Sequence, residues 1–203
     1  MWQNLLQCPA YNLFRQLEGA LDLAMIDSPS ANHTIYFDFI GPVQVGKHGS
    51  RFICIVVDSF TKFGDAIASQ RCTVKVALRL LKKWITNLRA PERVLSDNCS
   101  AFISHVFTNY CRKHLIDNIY CPPYSHKSNG TIEVFKKTLA NHIRKVWYNK
   151  GGDWTNHISY CLFTINTSVH LTTKSTPFFL LSGRTRTRSS LEPAQLNQAR
   201  KLA

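Results

Sequence analysis

The chain has 203 residues, 44% of them hydrophobic, enough for one core of about 150 residues with short appendages and too many for disorder to be its main state. Lys and Arg outnumber Asp and Glu by 25 to 12, a formal net charge of +13 that predicts a polyanionic partner and no small-molecule substrate. No apolar run is long enough to cross a bilayer, and the amino end does not read as a secretory signal. The expectation is therefore no membrane contact and a nuclear or cytoplasmic, not secreted, location.

Residues 1–30 read as an appendage: a weak helical stretch over Leu13–Met25 closed by Asp27, Ser28, Pro29 and Ser30. The core is expected over 31–184. His33–Ile40 alternates and stops at Gly41-Pro42, Arg51–Val57 is an apolar run ending at Asp58-Ser59, and Lys62–Ala68 follows a short turn, which predicts three strands joined by tight connections. Asp58 reads as part of that turn. Thr73–Leu88 then switches to helical spacing, with Val74, Ala77, Leu78, Leu81, Ile85 and Leu88 on one stripe, and Pro91 ends it.

A strand at Arg93–Ser96, a helix at Ser104–His114 and a strand at Asp117–Cys121 come next. Residues 122–130 are rich in breakers, and helices are predicted over about 131–149 and 153–169, then a short one over Phe178–Leu181. Three hairpin-linked strands before alternating helices and strands imply an α/β fold, a mixed sheet flanked by helices. Residues 185–203 open with Arg186 and Arg188 and read as a basic, flexible tail. Seven cysteines, odd in number and without a Cys-x-x-Cys pair, read as mostly buried free thiols, and Cys8 has no partner at zinc-ligand spacing.

A chain with twelve acidic residues places few carboxylates, and three stand out. Asp38 interrupts the apolar strand Ile35–Ile40, where an unpaired carboxylate costs several kcal/mol; a metal ion would offset that. Asp97 lies at the carboxyl end of a strand, where open sheets with helices on both faces place their sites, although such an Asp also commonly turns the backbone. Glu133 falls about 120° from the stripe Ile132, Phe135, Leu139, Ile143 and Val146 at roughly 100° per residue, so it sits at the flank of its helix. Lys137 at about 160° and Arg144 at about 140° share that side, a face suited to metal beside phosphate. The ordinary alternative is a solvated helix face with one i, i+4 ion pair.

Asp97 and Glu133 stand in a context of separated motifs: Asp38-Phe39-Ile40-Gly41-Pro42, Val56-Val57-Asp58-Ser59-Phe60-Thr61-Lys62-Phe63, Pro91-Glu92-Arg93-Val94-Leu95-Ser96-Asp97-Asn98, Pro123-Tyr124, Ser128-Asn129-Gly130 and Phe163-Thr164-Ile165-Asn166-Thr167-Ser168-Val169-His170. In this order they closely resemble the integrase catalytic core of gypsy-like long-terminal-repeat retrotransposons, over about residues 34–184. The resemblance implies a ribonuclease H-like fold with a five-stranded mixed sheet. It implies a polynucleotidyl transferase in which Asp38, Asp97 and Glu133 hold two Mg²⁺ or Mn²⁺ ions for DNA 3′-end processing and strand transfer. The implied partners are element ends and target DNA, and a second copy of the chain as a homo-oligomer. Asn129 and Lys137 match family positions that contact DNA; Lys136 and Arg144 join them as DNA-binding candidates on charge and helix position.

Two departures carry expectations of their own. Cys99 stands where the family usually has Gly, so the loop behind Asp97 is expected to be strained or reshaped. The segment Ser125-His126-Lys127-Ser128 lacks the usual Pro-Gln. Cys99, with no evident amino-terminal His-His-Cys-Cys zinc domain or further DNA-binding sequence at the carboxyl end, supports the alternative of a degenerate or host-adopted derivative that binds nucleic acid or protein without catalysis; retention of all three carboxylates supports the enzyme.

Overall fold

The computed structural model describes residues 28–121 and 130–185. The predicted tail, most of the amino-terminal appendage and Asn129 lie outside the described residues. Five strands, β1 (Thr34–Ile40), β2 (Phe52–Asp58), β3 (Gly64–Ser69), β4 (Arg93–Ser96) and β5 (Asp117–Tyr120), form one sheet in the order β3-β2-β1-β4-β5. The two hairpin links are antiparallel, whereas β4 pairs parallel with both β1 and β5, giving the mixed sheet expected from the sequence.

Among the described residues six helices surround it: α1 (Val74–Asn87), α2 (Ser100–Ile103), α3 (His105–Lys113), α4 (Gly130–Lys150), α5 (Ile158–Thr167) and α6 (Pro177–Ser182). Alternation along the strands splits the core into two layers. Ile35 and Phe37 join Trp84, Leu80 and Phe107 on the α1/α3 side. Tyr36, Ile55 and Leu95 join Phe135, Leu139 and Cys161 on the α4/α5 side. The apolar run in β2 feeds both layers, Cys54 and Val56 one, Ile53, Ile55 and Val57 the other, which is why it carries no polar alternation. Among the described residues no helix is long and apolar enough to cross a membrane.

The third strand begins at Gly64, two residues later than its sequence pattern suggests. Lys62 takes a left-handed backbone at φ 64°, and its N–H donates to Asp58 O at 3.0 Å. Asp58 is fully buried and organises this turn: Oδ1 accepts from Asn32 N (2.9 Å), and Oδ2 accepts from Thr61 N (2.8 Å) and Thr61 Oγ1 (2.6 Å). The turn role read from the sequence is the one it performs.

A one-turn helix, α2, precedes the expected helix and was not legible beforehand. Ser104, extended at φ −63° and ψ 141°, separates the two and caps α3 by accepting from Phe107 N at 3.3 Å. The stretch 153–169 opens with a 3₁₀ turn at Trp154–His157, started by Asp153 Oδ1 accepting from Thr155 N at 2.8 Å. Of the six described cysteines, none in a disulfide, Cys54, Cys111, Cys121 and Cys161 are buried.

Two contacts at Gly64 fix α4 and α5 over the sheet. Gly64 lies under the ring of Phe135: a Cβ there would come within 3.0 Å of Cε1 and closer still to Cζ and Cε2. Asn166 of α5, buried, clamps the same glycine, accepting from Gly64 N (3.0 Å) and donating to Gly64 O (2.8 Å). Ile132, Phe135, Leu139, Ile143 and Val146 are the buried face of α4, the stripe read from the sequence.

Candidate active site

Asp38 and Asp97 are brought together by strand pairing. In the parallel β1/β4 pair Phe37 faces Ser96, so the next residue on each chain is an aspartate, at the carboxyl end of the pairing. Neighbouring strands lie about 4.8 Å apart. Burial raises the Asp38 pKa, and the nearby charge of Asp97 adds a little to that rise. Asp38 shares strand parity with Tyr36 and so faces the layer covered by α4.

The side chain of Asp38 is only 15% exposed. Burial is the main cause that raises its pKa above the ordinary aspartate value; Lys136 and the Phe39 N–H, which donates to Oδ1 at 2.6 Å, work against that rise. Asp97 is exposed, and its Oδ1 accepts from Cys99 N at 3.1 Å. That contact shapes the loop. Cys99 has φ −61° and ψ 139°, an ordinary extended backbone, so the strain expected from a side chain at the usual glycine position is not found.

Glu133 lies in the first turn of α4, half exposed at 48%, on the flank as helix geometry predicted. Its partner is Lys136, not Lys137. The Lys136 ammonium donates to Glu133 Oε1 at 3.2 Å and to Asp38 Oδ2 at 2.9 Å, so one cation ties the helix carboxylate to the strand carboxylate. Burial opposes the charged form of Lys136, but the Asp38 and Glu133 carboxylates outweigh it and hold its pKa above the ordinary lysine value. Lys137 and Arg144 are exposed, Arg144 donating to Asn141 Oδ1 at 3.4 Å.

The place of Lys136 could have been read from the helix arithmetic: it falls roughly 60° from the centre of the buried stripe, between the core and Glu133. A second clasp had no sequence signal. Lys62 Nζ donates to Ser59 O (2.6 Å) and to Thr131 Oγ1 (3.0 Å), fastening the β2–β3 turn to the start of α4 two residues before Glu133. Burial lowers the Lys62 pKa, against the pull of Asp58. A cavity of about 390 Å³ lies beside this clasp, lined by Val57, Phe135, Ile165 and His170 among others. None of the three carboxylates lines it; Asp97 is exposed and Glu133 half exposed, whereas Asp38 is mostly buried.

The donor set suits a hard divalent ion. It offers carboxylate oxygen alone, and Asp38 is a mostly buried acid that needs a cation beside it. As they stand, Asp38 and Glu133 spend oxygens on Lys136, and among the described residues no three His, Cys, Asp or Glu side chains form a group able to hold a metal ion.

Residues 28–126 match the family described as the Integrase core domain. Over these residues the chain is similar to the integrase core, a family of polynucleotidyl transferases. It is 28% identical over 148 residues to the Pro-Pol polyprotein of feline foamy virus, covering 73% of this chain and 13% of that protein. It is 24% identical over 152 residues to the Retrovirus-related Pol polyprotein from transposon 412 of Drosophila melanogaster, covering 74% of this chain and 12% of that one. The chain thus spans only about an eighth of these polyproteins.

Solved structures agree on the fold. The simian T-cell lymphotropic virus intasome, in complex with the PP2A regulatory subunit B56 gamma, matches at TM-score 0.69 and 24% identity, over 81% of this chain and 58% of that one. The HTLV-2 integrase catalytic core domain in complex with magnesium, in its trimeric form, matches at TM-score 0.65 and 19% identity, over 76% of this chain and 99% of that one. The five-stranded mixed sheet flanked by helices is the ribonuclease H-like fold of these cores.

Proposed function

We propose that this integrase core processes and joins DNA 3′ ends, with Asp38, Asp97 and Glu133 as the ligands of two Mg²⁺ or Mn²⁺ ions. The observation that carries this reading is the placement of the acids. Asp38, inside β1, and Asp97, just past the end of β4, each follow the last paired residues of adjacent parallel strands, and the Glu133 carboxylate shares a cation with Asp38. Two divalent ions, when bound, activate the attacking oxygen and stabilise the leaving oxygen of an in-line displacement at phosphorus.

The chain's own groups do the rest. The Cys99 N–H orients Asp97 through Oδ1, and burial with the Phe39 N–H fixes Asp38. The Lys62–Thr131 clasp and the Phe135–Gly64 contact set the height of Glu133 above the sheet. Lys137 and Arg144, exposed on the same helix, offer phosphate contacts along the duplex, where charge governs affinity and base identity counts for little. Asn129, immediately before α4, completes the proposed DNA-binding set, and the working form is a homo-oligomer. A retrotransposon of the gypsy-like kind is the source that best suits the motifs. Among the described residues nothing favours a non-catalytic derivative: the Cys99 substitution that suggested one leaves the backbone ordinary.

The test is strand nicking and joining by the purified protein with Mn²⁺ and short DNA ends. Asp97→Asn is expected to abolish both while leaving the far-ultraviolet circular dichroism unchanged, because Asp97 is exposed. Equal DNA joining by Asp97→Asn and the parent, or a folded parent inert at all Mn²⁺ and Mg²⁺ concentrations, would overturn the proposal.

A further inference from the structure

Resting on the proposed metal-ligand role of Asp38 and Glu133, we propose that Lys136 is the resident counter-ion of that site: its ammonium holds the two carboxylates together in the metal-free protein, and divalent ions must displace it. The oxygens it occupies, Asp38 Oδ2 at 2.9 Å and Glu133 Oε1 at 3.2 Å, are ones a metal ion would need. Two cations on the same oxygens repel, so ammonium and metal compete.

The arrangement is specific to this lysine. The Lys136 side chain is 25% exposed and faces Asp38, whose side chain is 15% exposed, whereas Lys137 and Lys145 on the same helix are exposed. Asp38 also feels Asp97 beside it, so without a cation two or three acids would repel one another across a partly dry site. Lys136 thus keeps the site assembled and ready, at the cost of affinity for metal. Its flexible four-carbon stem lets the displaced ammonium swing away from the strand, and DNA phosphate is the nearest class of anion it would then meet. Metal and DNA are therefore coupled through one side chain: a phosphate that receives the ammonium strengthens metal binding, and the reverse holds by linkage.

The experiment compares the full chain with Lys136→Met, and with Lys145→Met as a control that removes the same charge from the same helix. Mn²⁺ affinity is read by isothermal titration without DNA, and thermal midpoints are read in chelator and in Mn²⁺. Lys136→Met is expected to bind Mn²⁺ at least about fivefold more tightly, to melt lower in chelator and to gain more from Mn²⁺ than the parent. Added DNA is expected to tighten Mn²⁺ binding more in the parent than in this variant. Lys145→Met is expected to follow the parent in each respect. Should Lys136→Met fail to fold in chelator, Lys136→Gln, which keeps a donor for Asp38 without the charge, gives the same comparison. Unchanged or weaker Mn²⁺ affinity on removing the ammonium overturns the inference while leaving the metal-ligand reading standing. A parent and variant that both fail to bind Mn²⁺ overturn that reading itself.

Discussion

Gly64→Ala isolates the contact that sets the height of α4. The backbone of Gly64 is not in the left-handed region, so alanine is conformationally allowed there and, on backbone entropy alone, would stabilise the protein by about 0.4–1 kcal/mol. Sterics reverse the sign. The new Cβ would lie within 3.0 Å of Phe135 Cε1 and closer to two more ring atoms, where ordinary carbon contacts are about 3.5–4.0 Å, so the ring must retreat by roughly 1 Å or more. Phe135 is 5% exposed, with packed neighbours behind it, and Asn166 grips both polar groups of the Gly64 backbone, so neither partner yields freely. Overpacking of this kind costs about 1–3 kcal/mol, and we expect a net loss near 2 kcal/mol. In a chain of this size that lowers the thermal midpoint by about 4–8 °C. Phe135 is two residues from Glu133 and one from Lys136, so metal-dependent DNA joining per folded molecule should fall as well. Urea unfolding of Gly64→Ala, Phe135→Leu and the double variant measures the coupling; the smaller side chain should recover more than 1 kcal/mol. A loss below about 0.5 kcal/mol with no coupling would refute the reasoning.

Asp58→Ala should cost about 3 kcal/mol in urea unfolding, because it strands Asn32 N, Thr61 N and the Thr61 hydroxyl, while activity per folded molecule persists. Burial raises the Asp58 pKa above 3.8, outweighing the Thr61 and Asn32 donors that favour its charge. The native state therefore keeps this proton to higher pH than the unfolded chain. The associated stability is present below pH 3.8 and is lost as pH rises through the raised value, a decline that Asp58→Asn should remove from the pH dependence of the urea midpoint. For DNA, Lys137→Ala and Arg144→Ala should each reduce the slope of log affinity against log salt by about 0.9 in a fluorescence titration; an unchanged slope would show that these side chains touch no phosphate.

Much of the fold was legible because it rests on periods. The spacing of Ile132, Phe135, Leu139, Ile143 and Val146 marks the buried face of a helix whatever it packs against, and the unbroken apolar run of β2 announces a strand covered on both faces. Where local hydrogen bonds overrode the pattern, boundaries moved. The left-handed Lys62 delayed β3, and the extended Ser104 left α2 as a separate turn. The identities of Asp38, Asp97 and Glu133 stood out for their chemistry, an acid inside an apolar strand and acids beside recognisable motifs.

Their partners did not stand out. Local spacing can place Lys136 at the edge of the core, but it cannot say that 98 residues of sequence separation close into an ammonium bound to Asp38. Nor can it show that Asn166 reaches across 102 residues to hold Gly64, or that Lys62 crosses 69 to meet Thr131. Amino-acid order sets what each segment can become, because dihedral preference and hydrophobic period are local properties. Which charge neutralises which depends on how α4 settles across the ends of β1 and β4, and only the packed protein decides that.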